Sequence, residues 1–146
     1  MDNKIQKYQI SGDGYHPFLI REGWQVAQLN YSPDQNILNI AQIDVHRETD
    51  EVFVALKGHA VLIAATIDGD KVTFDLEYLQ PGLTYNVPKN LWHNIAMQPG
   101  SEVLIVEKSN THLSDVEYFK LSDNQQQELH TMVHKAFDKT KTHKKQ

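Results

Sequence analysis

The chain has 146 residues, 40% hydrophobic and 23% charged, which is ordinary for a globular protein and enough to bury the core of a single domain spanning 1–146. No apolar run approaches the ~18 residues that a membrane helix needs, and with no cysteine there is neither a disulfide framework nor a thiolate metal site. The formal net charge is −5, but residues 139–146 ("KTKTHKKQ") hold four of the fourteen basic residues and none of the nineteen acidic ones, so the body stands near −9 and is a poor partner for nucleic-acid phosphates.

The opening "MDNKIQKYQISGDG" has no apolar leader-like segment, and the expected location is the cytoplasm. From residue 15 to 108 the hydrophobic period is two almost throughout. "GWQVAQLNY" and "NILNIAQIDVH" predict two strands divided by the turn cluster "SPDQN". In "DVHRETDEVFVALKG", His46 ends a strand, the polar "RETD" makes a turn, and Glu51 begins the next strand. "HAVLIAATI" reads as a buried strand, followed by an Asp68-Gly69 hairpin signal of the type I′ class. "KVTFDLEYL" then alternates, with Val72, Phe74, Leu76 and Tyr78 on one face. Turns at 80–82, 88–90 and 98–101 separate further short strands, the last being "SEVLIVEK". "DVEYFKLSD" predicts a tie across the barrel surface. Ser122 and Gln125 form a capping box for one amphipathic helix over about 123–138, and the basic tail 139–146 is expected to be a solvated end. Short strands at regular spacing, punctuated by Pro and Gly, predict an all-β antiparallel sandwich or small barrel of about eight or more strands with one C-terminal helix. Runs such as "HAVLIAATI" and "VFVAL" are apolar on both faces, which predicts self-association as a homodimer.

Three residues stand out as ligands: His46, Glu51 and His93. One turn brings His46 and Glu51 to a common mouth, and His93, in "PKNLWHNIAM", lies after a turn at the start of another strand. Asp44 shares a strand face with His46 and is a candidate fourth ligand, or a partner that orients His46. Imidazole nitrogens with carboxylate oxygens suit zinc, iron, manganese or nickel. The histidines at 16, 59, 112, 130, 134 and 143 lack such company, Arg47, Glu48 and Asp50 read as a solvated turn, and Trp92, Phe53 and Tyr85 read as packing residues.

At these residues the chain resembles the cupin superfamily. The first cupin motif has a glycine, five residues, His-x-His, three or four residues, a glutamate, six residues and a glycine. Here His46 takes the second histidine place, four residues precede Glu51, and "VFVALK" fills the gap before Gly58. The second motif runs Gly82, "LTYNV", Pro88, Lys89, Asn90, "LW" and His93 without a gap, and the resemblance spans about 38–108. Asp44 stands where the first histidine belongs, Leu38 where the opening glycine does, Asn90 replaces a turn glycine, and Met97 the closing asparagine. The resemblance implies a cupin-type antiparallel β-barrel or jelly roll and a dimer. It is compatible with a divalent metal and a small polar or carbohydrate-like ligand in the barrel. The alternatives are a metal-free sugar or sugar-nucleotide isomerase and a non-catalytic metabolite-binding module.

Overall fold

The computed structural model describes residues 4–144, with side chains through residue 139. Among these described residues, ten strands form two five-stranded sheets in which every pair is antiparallel. One sheet has the order β1 (Gly14–Arg21), β2 (Trp24–Asn30), β9 (Glu102–Glu107), β4 (Glu51–Lys57) and β7 (Tyr85–Val87). The other has β10 (Glu117–Lys120), β3 (Gln42–Val45), β8 (Trp92–Met97), β5 (Ala60–Asp68) and β6 (Lys71–Tyr78). A single helical turn, α1 (Thr111–Ser114), lies between β9 and β10, and the long α2 (Asp123–Lys144) follows β10. The result is the antiparallel sandwich that the period-two pattern predicts, in the jelly-roll form that the resemblance implies, and "DVEYFKLSD" contributes its edge strand β10.

The sheets face each other across one apolar cluster that includes Leu29, Phe53, Leu62, Ile95, Val103 and Ile105. A second cluster lies outside the barrel, where Leu129, Val133 and Phe137 of α2 cover Val61, Ile63 and Ala65 of β5 and Val72 and Phe74 of β6. Strand β5 is therefore buried on both faces within one chain, which is why "HAVLIAATI" is apolar throughout. Helix α2 starts with the expected box: Ser122 Oγ accepts from the Gln125 N–H at 3.2 Å, and the Gln125 side chain accepts from the Ser122 N–H at 2.9 Å.

Local expectations need correction in four places. "NILNIAQIDVH" is not one strand, because Asn36 accepts a hydrogen bond from the Leu38 N–H and winds Ile37–Asn39 into a 3-10 turn before β3. The β5–β6 hairpin closes on Asp68 opposite Lys71, with Gly69 at φ +62° and no positive φ at Asp70, so the turn is of the II′ kind rather than I′. The helix passes 138 and continues to Lys144, taking in most of the basic stretch. Asp50 is more than a solvated turn residue, since its carboxylate accepts from the Lys89 N–H (2.9 Å) and from Asn86 (3.2 Å) and ties the two motif segments together.

Candidate metal centre

The turn after β3 does not close a hairpin. It carries the chain from β3 in one sheet to β4 in the other, so His46 and Glu51 meet across the mouth of the barrel rather than along one ribbon. Asp115 holds this crossover in place: its carboxylate accepts the Arg47 and Glu48 N–H groups, each at 2.9 Å. The His46 carbonyl accepts the Asn90 N–H at 2.8 Å. Asn90 has φ +73°, the left-handed conformation for which asparagine can stand in for the motif's glycine. Strand register then sets Asp44 of β3 directly opposite His93 of β8.

His46, Glu51 and His93 are all buried and converge. The Nε2 of His93 lies 2.8 Å from Glu51 Oε1, and that of His46 lies 3.4 Å from the same oxygen. Asp44 Oδ2 is 3.7 Å from both Nε2 atoms. Each ring is oriented from behind, by Nδ1 contacts to the carbonyl of Asp115 (2.7 Å, His46) and of Leu91 (2.9 Å, His93). A carbonyl only accepts, so Nδ1 carries the hydrogen in both rings, and a neutral ring turns an Nε2 lone pair toward a carboxylate. Such an arrangement needs protons or a cation at its centre. Phe53 packs edge-on against His93, and Trp92 lies under the Arg47 guanidinium, as expected of packing residues.

Electrostatics in the metal-free protein supply the protons. Burial opposes charge on His46, but its hydrogen bond to Glu51, the Glu51 charge, the Asp115 carbonyl and the Asp44 charge outweigh burial and raise the ring to about 9. His93 is raised in the same way, Glu51 and Asp44 overcoming its burial. Burial also favours a neutral Glu51, yet the two imidazoles hold its carboxylate down near 2. Asp44 goes the other way, raised mainly by burial.

A pH dependence follows for the metal-free protein. His46 holds its proton more tightly folded than unfolded, so the stability it adds is complete below pH 6.5 and is lost as pH rises through 9. In chelator, the thermal midpoint should fall by roughly 5 °C or more across that window. Divalent metal should flatten the slope, because an ion takes the place of the protons. A midpoint that is level or rising between these pH values in chelator would contradict the cluster's electrostatics.

The structure adds residues that the sequence reading passed over. Glu107, the last residue of β9, is buried beside the cluster, and His46, Glu51 and Glu107 form a second set of possible ligand atoms that shares His46 with the set of Asp44, His46 and His93. Glu107 Oε1 accepts from the Tyr15 hydroxyl (2.6 Å) and from Gln25 (3.2 Å). His112 is not without company either, since its Nδ1 lies 3.2 Å from the Gln25 amide and its ring packs on Tyr15. The signal for Glu107 lay in "SEVLIVEK", where parity puts Glu107 on the inward face of Val103 and Ile105. Burial, then the charge of Glu51, push Glu107 up to about 7.

A cavity of about 550 Å³ shares Asp44, Glu51 and His93 with this centre and is also lined by Asp34, Gln35, Asn39, Gln42 and Tyr118. The side-chain oxygen of Gln35 is buried beneath this lining and has no hydrogen-bond partner.

No family model matches the chain, and no curated protein matches it. Among solved structures it is similar to a cupin-2 domain containing protein from Shewanella frigidimarina, at 20% identity over 68% of this chain and 84% of that one, with a TM-score of 0.47. It is similar to a TDP-quinovose 3,4-ketoisomerase from Campylobacter jejuni, at 15% identity over 70% of this chain and 73% of that one, with a TM-score of 0.49. It is also similar to an oxalate oxidase solved with the substrate analogue glycolate, at 14% identity over 80% of this chain and 62% of that one, with a TM-score of 0.47. These likenesses concern the fold. The chain's own strand order, with both motif segments meeting at one mouth, defines the class: a cupin-type jelly roll with a buried Asp/His/Glu group able to hold a metal ion.

Proposed function

We propose that this cupin binds one divalent transition metal through His46, Glu51 and His93, with Asp44 as a fourth ligand or as the group that orients the rings, and presents it to a small polar, carbohydrate-like ligand. The observation that carries the reading is the pair of imidazoles held at Nδ1 by backbone carbonyls, with both Nε2 atoms within 3.4 Å of one buried carboxylate oxygen. Nitrogen and oxygen donors in this mixture suit zinc, iron, manganese or nickel. Such an ion supplies Lewis acidity to a bound oxygen. The protein's part is to hold the donors, and to offer a ligand the carboxylate and amide groups of the adjoining cavity. The exposed side-chain oxygens of Asp34, Asn39 and Gln42 in that lining favour a ligand that donates hydroxyl hydrogens. A neutral polyol matches this lining better than a sugar nucleotide, whose diphosphate would look for lysine or arginine.

The test is elemental analysis of protein purified without added metal, then of the same protein reconstituted with excess zinc or manganese. About one equivalent of divalent metal per chain is expected. Clearly sub-stoichiometric metal after reconstitution would overturn the reading in favour of a metal-free cavity.

We further propose that the chain works as a homodimer. Helix α2 covers the outer face of β5 and β6, whereas the outer row Leu19, Val26, Val106 and Val52, neighbours in register across β1, β2, β9 and β4, belongs to neither apolar cluster of the described residues. These side chains are half-buried, and Leu104 and Val54 extend the apolar face. Light scattering at micromolar concentration should give twice the 16.8 kDa chain mass, and Val106→Glu should return it to one. A monomeric parent would rule out the dimer.

A further inference from the structure

We propose that Glu107 is also a ligand of this ion, entering from the side of the barrel opposite Asp44's sheet, and that Tyr15 and Gln25 are its positioning residues. The proposal rests on the metal-binding reading above and adds a donor that neither cupin motif contains.

Three observations converge on it. The two oxygens of Glu107 are treated differently by the fold: Oε1 is fixed by the Tyr15 hydroxyl and the Gln25 amide, whereas Oε2 is buried with no hydrogen-bond partner. Glu107 is 6% exposed, so water does not readily supply one. Next, β4 and β9 pair Val52 with Val106, and extending that register by one residue sets Glu51 opposite Glu107. Two acidic side chains directly opposite on neighbouring strands repel each other, and more so when buried. A fold that nonetheless anchors one of them with two dedicated donors is built to keep the carboxylate in place. Finally, ligand atoms of His46, Glu51 and Glu107 lie within 4.8 Å of one another, a spread that an ion can draw together. A cation between Glu51 and Glu107 turns the repulsion into shared coordination and gives Oε2 its missing partner. Behind Gln25, the Nδ1 of His112 accepts from the same amide group, so the support for Glu107 extends a further layer outward.

The experiment compares the chelator-treated parent with Glu107→Gln, Glu107→Asp and Tyr15→Phe. Each is titrated with Zn²⁺ by calorimetry, and the visible spectrum of each Co²⁺ form is recorded. Glu107→Gln should lower Zn²⁺ affinity by about 100-fold and move the Co²⁺ bands, and Tyr15→Phe should lower affinity by about 10-fold with the bands nearly in place. At about pH 8 and above, where Glu107 is ionised, the metal-free Glu107→Gln protein should melt higher than the parent, because an amide opposite Glu51 donates where a carboxylate repels. A purely structural Glu107 gives the reverse pattern, a lower melting point with parent-like affinity and spectrum, and that result overturns the proposal. Should Glu107→Gln fail to fold, Glu107→Asp, which keeps the charge but draws the oxygens back, decides the matter: parent affinity and spectrum reject Glu107 as a ligand, and weakened binding with moved bands supports it. A parent that binds no Zn²⁺ removes the metal centre itself, and a parent that binds with Glu107→Gln unaffected removes only this addition.

Discussion

Replacing His93 with alanine should lower divalent-metal affinity by more than about 100-fold, the upper end of what losing a mere orienting partner costs. His93 makes the shortest imidazole–carboxylate contact of the group, 2.8 Å to Glu51 Oε1, and its ring is fixed at the other nitrogen by the Leu91 carbonyl. The substitution also strands Glu51. With both imidazoles present its carboxylate sits near 2, and with one gone its burial is opposed by less, so Glu51 should take up a proton at higher pH. The metal-free variant should therefore lose its stability at a higher pH on the acid side than the parent does. His46→Ala should lose metal to a similar degree, and it additionally leaves the Asp115 carbonyl without its 2.7 Å partner. Elemental analysis and calorimetry on both variants check this, with circular dichroism to verify the β-sheet signal. Parent-level metal in either folded variant would exclude that histidine as a ligand.

Gly58→Ala should be the most damaging conservative change in the barrel, at about 3 kcal/mol. Gly58 closes the first motif at φ +78°, a conformation that costs an L-residue roughly 1–2 kcal/mol. A Cβ there would stand 2.3 Å from Ser101 Oγ and 2.7 Å from Ser101 Cα. Ser101 cannot swing aside without loss, because its hydroxyl accepts from the His59 N–H at 2.8 Å and donates to the His59 carbonyl at 2.9 Å. Overpacking of this kind adds roughly 1–3 kcal/mol. Gly100 separates the two contributions: it has φ +83° with nothing within 4 Å of a built Cβ, so Gly100→Ala should show the backbone cost alone. Thermal melts in chelator should place Gly58→Ala about 10 °C below the parent and Gly100→Ala only a few degrees below. Equal losses in the two variants would show that the contact with Ser101 contributes nothing.

The amino-acid sequence by itself determined those features that depend on side-chain parity and short-range bonding. Alternation marked the strands from Trp24–Asn30 to Glu102–Glu107, and the box of Ser122 and Gln125 marked where α2 begins. The motif spacings picked out His46, Glu51 and His93, because a turn of fixed length and a strand of fixed period leave few places for a side chain to go. Only the tertiary structure decided which strands became neighbours. "RETD" has the polarity of a hairpin turn, yet it joins two different sheets, since the burial gained by closing the sandwich is a non-local quantity that no window of sequence contains. For the same reason the second apolar face of β5 is covered by α2 of the same chain, whereas its sequence alone is equally consistent with burial against a partner. Glu107 was visible as an inward-facing acid, but its place opposite Glu51 depends on the register of β4 against β9, two strands more than forty residues apart in the chain. The Asp115 carbonyl that orients His46 is 69 residues away, on a connection whose own sequence gives no sign of the contact. Local chemistry named the side chains, and long-range packing brought them together.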